Sequence, residues 1–185
     1  MGKEKGKRIL LDAGHGGTDA GAVSGGVSEE GINLGICLRL AERLRESGHI
    51  VILTRDKDAG LSPEERLVKI REYQPDAFVS VHCNAAKNPQ AHGVETLYRD
   101  DFDYPLAAEI QKALIATTNM TDRGIKNDEK ELGRRLAVLG DKETPSCLVE
   151  IGFISNRGDL KLIMEEQELI VEALLDGINN WANNG

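Results

Sequence analysis

The chain has 185 residues, of which 40% are hydrophobic and 29% charged, and a formal net charge of −8. This length is most simply one domain with a core of its own, in the composition range of globular proteins. The negative balance argues against nucleic acid as the main partner, and no apolar run approaches the roughly 20 residues of a membrane span.

The stretch Met1 to Arg8 is basic, but no apolar region or cleavage site follows, so it does not read as a signal peptide. Residues 1–7 are expected to be loosely held. Cys37, Cys83 and Cys147 are widely spaced and each lies in apolar sequence. They fit neither a zinc spacing nor a disulfide framework and read as buried free thiols.

Ile9-Leu10-Leu11 reads as a short buried strand running into Asp12-Ala13-Gly14-His15-Gly16-Gly17. Glycines there let the backbone turn beside a single imidazole, and strand ends are where α/β sheets keep their chemistry. His15 is therefore a candidate metal ligand or general base; the alternative is a capped turn with an incidental histidine. A Gly-rich loop over 21–26 leads to Val27-Ser28-Glu29-Glu30. The spacing of Ile32, Ile36, Cys37, Leu40, Ala41 and Leu44 predicts a helix over 32–47, with Gly48 as its stop. Ile50 to Leu53 is apolar enough only for the interior of a sheet. Ser62-Pro63-Glu64-Glu65 carries a cap, an N1 proline and first-turn acids, which predicts a helix to about Tyr73.

Further strands are expected over 77–82 and 93–98, and a helix from Pro105 to about Thr117 through Leu106, Ile110 and Leu114. The polar segment Thr121 to Arg135 reads as a surface loop. Leu136 to Leu139 and Cys147 to Ile151 read as two more strands, and the last helix runs from about Glu165 to Trp181. Strands alternating with helices imply right-handed crossovers and a mostly parallel sheet covered on both faces.

Two of these strands end in chemistry: the first in His15, the third in His82-Cys83-Asn84. In a parallel sheet such ends share one side, and the helix starting near Glu30 brings Glu29 or Glu30 to it. Two imidazoles and a carboxylate, with a fourth position left to water, make a catalytic zinc set. Glu150, also at a strand end, is placed to move a proton, although a glutamate there is more often a salt-bridged or capping residue. Cys83, beside His82 on a strand, points to the opposite face. His49 and His92 have no chemical company, and Asp100-Asp101 and Glu129 to Glu131 read as solvated charge.

The chain resembles the zinc-dependent N-acetylmuramoyl-L-alanine amidases called amidase 3. The resemblance runs from Ile9 to about Leu162 through six motifs in family order: Leu11 to Gly17, Glu29 with Asn33-Leu34, Thr54-Arg55, Phe78 to Ala85, Asp122-Arg123-Gly124, and Leu148 to Asn156. It implies a single α/β domain, residues 1–185, with a twisted, mostly parallel sheet of about six strands and helices on both faces. It also implies one zinc ion held by His15, Glu29 (rather than Glu30) and His82, and Glu150 as the catalytic residue. Asn84 and Arg123 are weaker candidates for substrate contact. Ala13 and Cys83 stand where the family usually has proline and alanine. The implied reaction is cleavage of the amide between N-acetylmuramic acid and L-alanine in peptidoglycan. A zinc peptidase acting on wall stem peptides is the rival, and a non-catalytic wall-binding module is a remoter one, since none of the expected site residues is missing.

The resemblance places the substrate outside the membrane, while the chain shows no export signal; a phage lysin, a sporulation enzyme or the catalytic part of a longer exported protein all fit. A monomer that needs no activator is expected. Some family members cover their zinc with a helix inserted after the strand corresponding to 93–98, and here only residues 99–104 separate that strand from the next helix, too few for one.

Overall fold

The computed structural model describes residues 6–184. Of the N-terminal stretch expected to be loose, residues 1–5 lie outside the described residues; Lys7 is tied in, its amide donating to His49 Nδ1 at 3.1 Å. The strands are β1 (Arg8–Ala13), the hairpin β2 (Val23–Ser24) and β3 (Val27–Ser28), β4 (Ile50–Leu53), β5 (Ala77–Asn84), β6 (Val94–Tyr98), β7 (Asp122–Asn127) and β8 (Ser146–Phe153). The helices are α1 (Glu29–Glu46), α2 (Pro63–Tyr73), α3 (Tyr104–Thr118), α4 (Arg157–Glu165) and α5 (Gln167–Asn184).

Six strands form one sheet in the order β4-β1-β5-β8-β6-β7. The first four are parallel, β6 runs antiparallel to β8, and β7 runs parallel to β6. The α/β class and the strand count agree with the sequence reading, but the sixth strand is a different segment. Leu136 to Leu139, expected as a strand, folds instead into a 3-10 turn at Ala137–Leu139 that plugs Val138 and Leu139 into the core. A four-residue apolar run fits a buried turn as well as a buried strand. The sixth strand is β7, inside the stretch read as polar loop. Its polar composition is that of an edge strand with one working face. α1 starts at Glu29, three residues earlier than expected, and α4 is a further helix, started by Asn156, whose side chain accepts from the amides of Gly158 and Asp159. Among the described residues no helix is long and apolar enough to cross a membrane.

Strand alternation sorts the core into two layers. On one face Ile9, Leu11, Val79, Val81, Cys147 and Val149 pack under α1, α3 and α5. On the other, Leu10, Phe78, Leu97 and Leu148 pack against Ile70 of α2 and the 3-10 turn. That second cover spans only part of the face. Two residues further along each strand the same side becomes polar: Leu10 gives way to Asp12, Phe78 to Ser80 and His82, Leu148 to Glu150, and on the reversed β6 Leu97 to Glu95. The candidate site is this polar half-face.

Candidate active site

Beneath the site lies a buried charge. Asp12, fully shielded, accepts from Thr54 Oγ1 and Ser80 Oγ, both at 2.6 Å, and pairs with Arg66. Arg66 also donates to the carbonyls of Ala13 (3.0 Å) and His15 (2.9 Å), while Arg55 donates to those of Ala13 (2.9 Å) and Gly14 (3.0 Å). Two buried guanidiniums thus grip three consecutive carbonyls of the loop after β1. The grip matters because His15 itself has φ 62°, a left-handed conformation that a residue with a side chain keeps only when its surroundings enforce it. Gly14 is required for a different reason: a Cβ there would lie 2.2 Å from the His82 ring.

The loop delivers His15 Nε2 to within 3.1 Å of Glu29 Oε1, and β5 delivers His82 Nδ1 to within 3.0 Å of the same oxygen. The two rings meet edge to face, with centroids 4.9 Å apart. One ligand atom from each of the three residues lies within 4.8 Å of the others. Glu29 is oriented by amides: its Oε2 accepts from Ala22 and its Oε1 from Cys83, each at 3.0 Å. Glu30 turns away toward Ser28 and Arg55, so the structure brings Glu29, not Glu30, to the histidines. Burial opposes ionisation of Glu29, but the hydrogen bonds to His15 and His82 outweigh it and hold the carboxyl well below the usual range. The hydrogen bond to Glu29 raises His15 to about 9, with Asp19 adding to it. A group of two imidazoles around one carboxylate therefore holds a proton that a cation would replace. Two nitrogens and one oxygen converging in this way fit a borderline metal such as zinc.

Asp19, which the sequence reading did not single out, accepts from His15 Nδ1 at 2.8 Å and so fixes which ring nitrogen faces Glu29. Its signal was faint: an aspartate four residues on in a Gly-rich loop.

Glu150 is paired with His82 across β5 and β8. The residue is partly covered, yet its Oε2 is shielded from solvent and has no hydrogen-bond partner among the described residues. Burial pushes its carboxyl up to about 7. A carboxyl poised near neutrality beside the two imidazoles and Glu29 suits proton transfer in both directions.

On its other side Glu150 faces Glu95 across β6 and β8. Glu95, also unsuspected from sequence, gathers the two weaker candidates: Oε1 accepts from Asn84 Nδ2 at 3.0 Å, and Oε2 from Arg123 Nε at 2.6 Å. Lys126 Nζ joins the same oxygen at 2.6 Å. Burial works against its charge, but Lys126 and Arg123 keep Glu95 below the ordinary carboxylate range. All three cysteines are buried and free, and Cys83 points away from the site, into the layer under the helices. His49 bridges Lys7 and Asn179 structurally, and His92 is exposed.

Residues 9–180 match the profile of the family described as N-acetylmuramoyl-L-alanine amidase. The chain belongs to that family. Its curated relatives include LytC of Bacillus subtilis, an N-acetylmuramoyl-L-alanine amidase 33% identical over 178 residues, an alignment that covers 93% of this chain and 35% of LytC. Among solved structures, the amidase AmiC2 of Nostoc punctiforme superposes with a TM-score of 0.89 at 32% identity, covering 98% of this chain and 99% of that one. The CwlD amidase of Clostridioides difficile, solved in complex with the GerS lipoprotein, gives 0.89 at 33% identity over 97% and 100%. The chain is thus an N-acetylmuramoyl-L-alanine amidase acting on peptidoglycan, and the polar half-face is where the amidase carries its candidate catalytic groups.

Proposed function

We propose that the amidase is a zinc enzyme in which His15, Glu29 and His82 hold one zinc ion and Glu150 moves the proton. The observation that carries this reading is the convergence of both imidazoles on one Glu29 oxygen, with Glu150, its Oε2 unpartnered, directly opposite His82 on the neighbouring strand. Three protein ligands leave a coordination position open, the mark of a catalytic rather than a structural site. Zinc bound there would polarise the lactyl carbonyl and lower the pKa of a water.

The chain's own residues do the rest. Glu150 takes a proton from the attacking water, whose oxygen becomes part of the lactyl carboxyl group. It then gives that proton to the alanine nitrogen as the carbon–nitrogen bond breaks, so the carboxylate returns to its starting state. Asp19 holds His15 in the tautomer the reaction needs, and Arg66 and Arg55 hold its backbone. The family match favours the muramoyl amide over the stem-peptide bonds of a zinc peptidase. Product analysis on isolated peptidoglycan tests the assignment. New L-alanine amino groups without new reducing ends are expected; release of other amino termini, or of nothing, would overturn it.

A further inference from the structure

β6 and β8 run antiparallel, and their ladder stops at the pair Glu95–Glu150. Like charges directly opposite each other destabilise a strand pair, so Glu150 sits where the ladder is weakest. β8 also gains a residue just beyond it: His82 is opposite Glu150, but Asn84 is opposite Phe153, which makes a bulge at Ile151-Gly152. Gly152 has φ 142°, and a Cβ there would lie 2.8 Å from Met120 Cε. Bulges beside active sites commonly re-aim side chains. In a regular strand residues three apart face opposite ways. Here the bulge brings Phe153 to the side that carries Glu150, with the Arg123 guanidinium 4.8 Å from its ring centre.

Two amides stand at this loose end, that of Gly93 just before β6 and that of Phe153 at the end of β8. Both donate to one oxygen, Asp159 Oδ2, at 2.8 Å each. Asp159 is buried and comes from the first turn of α4, the helix that the Asn156 side chain starts. A buried amide without an acceptor is costly, and the bulge has taken these two out of the ladder. We propose that Asp159 is a positioning residue for the reaction. It fastens together the ends of the two strands that carry Glu150 and Glu95, and so keeps Glu150 opposite His82 when its carboxyl is charged. The role rests on Glu150 being the group that moves the proton.

The test is a double-mutant cycle on kcat for release of the L-alanine amine from a soluble muramoyl peptide, with Asp159→Ala and Glu150→Gln alone and together. Asp159→Ala should lower kcat by about 10²-fold, which is what a misplacement of roughly 1 Å costs, with KM and zinc content little changed. Once residue 150 is Gln, the same substitution should cost almost nothing more. Asp159→Asn keeps an oxygen acceptor for both amides and should retain most of the turnover. Losses of equal size in the two backgrounds mark general damage to the fold and overturn the proposal, as does an Asn variant no better than the Ala one. Hydrogen exchange in the unmutated, zinc-loaded amidase needs no variant to fold. The amides of Gly93 and Phe153 should be protected like those of the core strands, and exchange of either at the rate of an exposed loop overturns the tie. If Glu150→Gln alone leaves kcat intact, it is the proton-carrier assignment that fails, and the positioning role falls with it.

Discussion

Glu150 occupies a position where function and stability pull apart. Its carboxyl, raised by burial from 4.5 to about 7, is stable in the fold as the neutral acid. In the metal-free protein, stability is therefore fully present below about pH 4.5 and declines as pH rises through about 7, where a charge must be held with one oxygen unpartnered. Glu150→Gln keeps the shape, cannot ionise and cannot accept a proton. Turnover should drop by roughly 10²-fold or more, while metal-free melting temperature should exceed that of the unmutated protein above pH 7 and converge with it near pH 5. Equal melting curves at pH 8 would contradict the buried charge. His15, His82 and Glu150 were legible in the sequence because each follows the apolar run of a strand, although β5 and β8 continue past His82 and Glu150. Asp19, Glu95 and Lys126 were not. They act through another side chain, and only loop closure, cross-strand register or a bulge brings them to it.

The elements of the site are held by their undersides. The apolar start of each central strand is a continuous core signal, and Ser62 with Glu65 forms a reciprocal cap at the start of α2, so β1, β5, β8 and α2 stood out in the sequence. α2 in turn carries Arg66 under the His15 loop, a link that no periodicity announces. Arg66→Leu should leave Asp12 buried without its cation and free the carbonyls of Ala13 and His15. A loss of about 3–5 kcal/mol is expected from breaking such a pair, read from the denaturant midpoint, together with weaker zinc binding as the left-handed His15 relaxes. Unchanged stability with unchanged zinc affinity would show that the pair does not hold the loop. β7 and the 3-10 turn at Ala137–Leu139 exchanged places with their expected structures for a common reason. Composition reports burial, whereas the sheet is completed by backbone pairing, which an edge strand of polar residues supplies as well as an apolar one.

At the scale of the molecule, the sheet divides its labour by face: helices cover one side fully, while α2 and the 3-10 turn leave the C-terminal part of the other to polar groups. The turn from β6 to α3 spans residues 99–103, and no described helix lies within it. The purified chain is accordingly expected to run as a monomer by light scattering and to release L-alanine amines from peptidoglycan unaided. Since the CwlD amidase has been solved with the GerS lipoprotein, dependence on a second protein is the informative contrary result; it would place control outside this fold. The central claim, that His15, Glu29 and His82 hold zinc while Glu150 handles the proton, is tested most directly by the zinc-to-protein ratio. That ratio is measured side by side for the unmutated amidase, His82→Ala and Glu150→Gln. The expected result is about one zinc in the first and third and none in the second. Full zinc in His82→Ala, or its loss from Glu150→Gln, would contradict the account and make Glu150 a ligand instead of the base.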